Sequence, residues 1–123
     1  MTSRPGELRS PLGRVAATIA NAASLSAAVE IAGMELVAIE MPAAWTAANL
    51  TFQGTHDGAT FNNVHDDAGT EVSVTAAAAR YIRLNPELWG GFHSVKVRSG
   101  TAGTPVNQGA ERIINLVVRQ RPT

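Results

Sequence analysis

The chain contains no cysteine. That rules out disulfide staples, cysteine-based zinc sites and thiol nucleophiles, and it fits a reducing compartment. Net charge is also missing, since ten basic side chains balance ten acidic ones. A neutral domain lacks the phosphate-neutralising field on which nucleic-acid affinity rests, so no nucleic-acid partner is expected. Long apolar runs are absent too. The least polar stretch, 15–41, is broken by Asn21, Ser24, Ser26, Glu30, Glu35 and Glu40, whereas a membrane span needs about 20 mostly apolar residues. Nothing in the opening residues has the apolar length of a signal peptide. The expectation is a soluble domain with no membrane partner and no export signal.

Motifs for chemistry are equally scarce. The serines are scattered and none stands in Gly-x-Ser-x-Gly, the strand-to-helix turn that exposes a nucleophile. The densest group of metal-capable side chains runs from His56-Asp57-Gly58 to Asn62-Asn63-Val64-His65-Asp66-Asp67. Its spacing fits neither a calcium loop nor a zinc motif. Asp-Gly and Asp-Asp-Ala-Gly are turn sequences, in which the carboxylate bonds the local backbone. No enzyme activity, no catalytic residue, no metal and no cofactor are expected. His56, His65 and His93 share no spacing that unites them.

What the chain does have is a hydrophobic period of two. Val15, Ala17 and Ile19 share one parity, as do Ala27, Val29 and Ile31. Val37, Ile39 and Met41 follow, then Leu50 and Phe52, Val72 and Val74, Ile82 and Leu84, Val95 and Val97, and Ile114, Leu116 and Val118. Glycine- and aspartate-rich turns separate these runs. About eight short strands, each with one apolar face, predict an all-β, antiparallel two-sheet sandwich of jelly-roll type. One or two short helical turns are expected, with candidates at 43–49 behind Pro42, at 76–79 and at 85–89. The 123 residues make one domain, large enough to bury roughly two-thirds of its unfolded surface without staples.

The ends differ from the body. Residues 1–13 carry Pro5, Gly6, Pro11 and Gly13 and have little to bury, so they read as an extended arm; 14–119 form the sandwich and 120–123 a short tail. Arg4, Arg9 and Arg14 at one end, with Arg119 and Arg121 at the other, are candidate partner contacts, because a guanidinium makes forked pairs with carboxylates. Trp89, beside Gly90 and Gly91, is a candidate interface residue, since tryptophan is enriched at interface hot spots. Trp45, Phe52 and Phe61 are assigned to the core.

Two phrases carry a family resemblance. Residues 50–61, with Thr55-His56-Asp57-Gly58 before Phe61, and the strand Arg80-Tyr81-Ile82-Arg83-Leu84 resemble discoidin-like, galactose-binding-like sandwiches. The segment from Arg98-Ser99-Gly100-Thr101 through Pro105-Val106-Asn107-Gln108 to Arg112 resembles small structural proteins of tailed phages and gene transfer agents, of the head-decoration or head-spike-base type. The second resemblance implies a virion protein on the capsid surface, made in a bacterial cytoplasm. Its partners would be the major capsid protein or other head proteins, along with further copies of itself in a symmetric oligomer. A carbohydrate-binding adhesion module is the alternative, with a glycan as ligand.

Overall fold

The computed structural model describes residues 12–120. They form eight strands: β1 (Leu12–Ile19), β2 (Val29–Glu30), β3 (Met34–Glu40), β4 (Leu50–Thr55), β5 (Asn62–Asn63), β6 (Tyr81–Arg83), β7 (Ser94–Ser99) and β8 (Arg112–Gln120). A single 3₁₀ turn, Pro86–Leu88, lies between β6 and β7. The strands make two four-stranded sheets, in the orders β1-β8-β3-β6 and β2-β7-β4-β5. Every pairing is antiparallel.

The pairing follows one rule. β1 meets β8, β2 meets β7, β3 meets β6 and β4 meets β5. The first half of the chain therefore pairs with the second half in reverse order, like one long hairpin. Contacts of β8 with β3 and of β7 with β4 roll that hairpin into two sheets. This is the eight-strand jelly roll, and the all-β sandwich expected from the alternation is what forms. Strands β8 and β3 lie inside one sheet and β7 and β4 inside the other, leaving β1 and β2 on one flank and β5 and β6 on the other.

The core lies between the sheets and is built from the expected parities. Ala17 and Ile19, Leu50 and Phe52, Val95 and Val97, and Ile114, Leu116 and Val118 are all essentially without solvent contact. Strand β3 departs from the expected pattern. Strict alternation places Val37 with Ile39 and Met41, but the structure buries Leu36 with Ile39 and Met41. The register shifts between Leu36 and Ala38, so Leu36 faces Val118 and Ile39 faces Leu116. A β-bulge at Val37 thus converts a spacing of three on β3 into the spacing of two on β8. The Val37 carbonyl accepts the Leu84 N–H at 3.0 Å, which extends the β3–β6 pairing.

Of the three helical candidates only 85–89 forms a helical turn. Asn85 caps it by accepting the Glu87 N–H at 3.1 Å, and Pro86 supplies the preset backbone angle of a first turn. In 76–79, Ala79 has φ 59°, outside the right-handed helical region, and its N–H is bonded to Pro42 O. In 43–49 the backbone of Thr46 is taken by a glutamine 62 residues away. Leu12, Gly13 and Gln120, placed outside the sandwich by the sequence reading, belong to β1 and β8. Phe61 is not a core residue: it lies outside the sheet, with the Lys96 ammonium 4.4 Å from its ring centre. Trp89, by contrast, is in the core.

Candidate functional site

The polar residues with the most contacts lie in and around β7. Arg98 is nearly buried, with its guanidinium on the Thr51 hydroxyl at 3.2 Å, the Glu71 carboxylate at 3.3 Å and the Asn63 side-chain oxygen at 2.5 Å. Glu71 also accepts the Ala102 N–H at 3.1 Å, which ties the loop after β7 to the segment after β5. Gln108 is 1% exposed. Its amide donates to Thr46 O at 2.9 Å and to the Ser99 hydroxyl at 2.7 Å. Its oxygen accepts the Thr46 N–H at 2.8 Å and Arg112 Nε at 3.1 Å. Gly100 has φ +89°, and a Cβ there would stand 2.6 Å from Thr104 O. The phrase from Arg98 to Arg112 is therefore a set of internal braces.

The Thr55–Thr60 segment is a turn held by one carboxylate. Asp57 accepts the N–H groups of Ala59 at 2.9 Å and Thr60 at 3.2 Å, and the Thr55 hydroxyl at 2.8 Å. These bonds favour the ionised form, with Ala59 the largest contributor, and hold the carboxyl at about 2 instead of the ordinary 3.8. Asp66 does the same work in the next turn, accepting Ala68 and Thr70 N–H at 2.9 Å each. Both aspartates act as the turn residues their sequences suggest. Among the described residues no three His, Asp or Glu side chains are grouped so as to hold a metal ion.

The candidate contact residues are spread across the molecule and form no single site. Arg4, Arg9 and Arg121 lie outside the described residues. Arg14 stands exposed on β1, opposite Val117. Arg119 sits on β8 and is paired in register with Glu35 of β3, its Nε 2.7 Å from the carboxylate. Trp89 is a correction: it is 3% exposed and packs edge-on against Phe52, ring centres 4.6 Å apart, with Phe92 at 6.2 Å. Gly91, at φ +88°, turns the chain behind it. Gly54 leaves room for this cluster, because a Cβ there would overlap the Phe92 ring. The two glycines that made Trp89 read as a surface loop instead let the chain fold its indole inward.

A cleft of about 700 Å³ opens between segment 64–73, which follows β5, and the 3₁₀ turn with Phe92, which follows β6. Its lining includes the apolar side chains of Val64, Val72, Leu88 and Phe92, of which Leu88 is 67% exposed. It also includes four carboxylates, Asp66, Asp67, Glu71 and Glu87, together with His65. Glu71 and Asp66 are engaged as described above. Asp67 and Glu87 make no side-chain hydrogen bond or ion pair among the described residues. Among the described residues no lysine or arginine lines it. Such a surface suits an extended segment that carries both an apolar and a cationic side chain. Sequence reasoning misses it, because its walls come from two separate segments, 64–73 and 87–92, that no local pattern joins. No family model matches the chain, and no curated protein or solved structure matches it either.

Proposed function

We propose that the chain is a non-enzymatic structural protein attached to the capsid surface of a tailed-phage-like particle, as a decoration protein or the base of a head spike. The observation that carries the reading is where the polar residues go. The segment resembling phage and gene-transfer-agent structural proteins is used for internal bracing, by Arg98, Gln108 and Arg112. A rigid body braced in this way, with a basic segment ahead of β1, suits a protein whose work is to hold a surface. Jelly rolls serve viral capsids and lectins alike, and a shared fold does not decide function. For the glycan-binding alternative, Trp89 is not available to stack on a sugar, because its indole is buried against Phe52. Attachment would work by repetition: many copies on a lattice turn weak single contacts into lasting ones.

The test removes residues 2–11, upstream of β1. The shortened chain should melt close to the full-length one, because these residues precede the first strand. Its co-sedimentation with particles purified from a strain lacking the gene should fall sharply. Undiminished co-sedimentation would remove the arm from the account, and full-length chain that never co-sediments would remove the capsid.

A further inference from the structure

The cleft has an apolar and acidic lining and no occupant among the described residues, and the chemistry of its occupant can be read from the chain itself. Arg4, Glu7, Arg9 and Arg121 lie outside residues 12–120, so of the ten basic and ten acidic side chains seven and nine remain in the body. The body is therefore acidic by two charges, and the terminal segments are basic by two. Leu8 stands between Glu7 and Arg9, the one branched apolar side chain ahead of β1. We propose that the cleft receives residues 1–11 of a neighbouring copy of this chain, with Leu8 against its apolar lining residues and Arg4 and Arg9 against the carboxylates of Asp67 and Glu87.

Placement supports a neighbouring copy as the source. The start of β1 adjoins Ala32 and Gly33, and the preceding Ile31 bonds His93 O at 2.8 Å, one residue beyond the cleft's Phe92. The root of the segment and the cleft thus share one end of the sandwich. They lie on opposite flanks, however: β1 is an outer strand of its sheet, while the walls of the cleft follow β5 and β6, the outer strands of the other flank. Copies set side by side bring the β1 flank of one against the β5/β6 flank of the next. That contact is head-to-tail, which builds a ring where the rotation closes and a filament where it does not. Eleven residues reach at most roughly 40 Å, enough to cross such a junction. This inference rests on the proposed structural role only for why copies stand side by side, and its test uses the purified chain alone, so that its failure leaves attachment to particles standing.

The test is a charge swap followed by sedimentation velocity. The unaltered chain should associate with rising concentration, and less so at high salt, because exposed charges are screened. R4E/R9E should weaken association by about tenfold or more, and so should D67K/E87K, since rim charges facing like charges repel. Mixing the two variants in equal amounts should restore association, because each acidic arm now meets a basic cleft and each basic arm an acidic one. Thermal melts of both variants should match the unaltered chain. If D67K/E87K does not fold, Leu88→Ser replaces it, since that side chain is already 67% exposed, and it should weaken association alike. A chain that stays monomeric at every concentration, variants that associate as the original does, or a mixture that fails to recover would each overturn the proposal.

Discussion

Replacing Gln108 by leucine should destabilise the domain by about 3 kcal/mol, although no apolar contact is lost. The two side chains have similar volume, so the cost is polar. Four bonds go: Thr46 O, Thr46 N–H, the Ser99 hydroxyl and Arg112 Nε each lose a partner between 2.7 and 3.1 Å away. A buried group left unsatisfied costs about 1–3 kcal/mol. Ser99 is fully buried and bears that cost in full, whereas Thr46 and Arg112 are partly exposed and recover some of it from water. The sum comes to about 3 kcal/mol, or a melting point lower by roughly 12 °C for a chain of this size. Gln108→Glu separates the contributions. Its carboxylate still accepts from Thr46 N–H and gains charge pairing with Arg112, and Ser99 can turn its hydroxyl to donate; against these stand the repulsion between Thr46 O and a carboxylate oxygen and the desolvation of the buried charge, so the loss should be about half. Urea unfolding of the three proteins gives the comparison. A leucine variant within about 1 kcal/mol of the original, or a glutamate variant as unstable as leucine, would refute the reasoning.

Other residues give further checks. Trp89→Ala should cost about 3–5 kcal/mol in urea unfolding, as a large core truncation does; a loss below about 1 kcal/mol would return Trp89 to the surface. Gly100→Ala should cost at least about 2 kcal/mol more than Gly69→Ala, because both have positive φ but only Gly100 has backbone where the Cβ would go. Equal losses would contradict this. Asp57 should titrate near pH 2 by NMR. Since its folded value is depressed, the stability it adds is present above its ordinary value of 3.8 and disappears as pH falls through about 2. Thr55→Ala, which removes one donor to the carboxylate, should raise the midpoint.

The strands were legible because alternation reports directly on which face is buried, and Ile114, Leu116 and Val118 show it without interruption. The β3 bulge was not, since Leu36 and Val37 are both apolar and only the register with β8 decides which turns inward. The helical candidates show the limit of local signals. A proline start and a capping asparagine produce the turn at 86–88, but the alanines at 43–49 lose to a long-range bond from Gln108, which no local window contains. The aromatic residues were the hardest to place. Trp89 turns inward beside Phe92, whose ring occupies the space Gly54 leaves on β4, a strand remote in sequence from the glycines after Trp89. The cleft was invisible for a related reason: its four apolar residues have no common period and meet only through the fold.

The most direct measurement of the central proposal is quantitative mass spectrometry of purified particles from the source organism. The account predicts this chain in fixed proportion to the major capsid protein, retained through density-gradient purification. Particles that contain every other head protein but not this chain would contradict it.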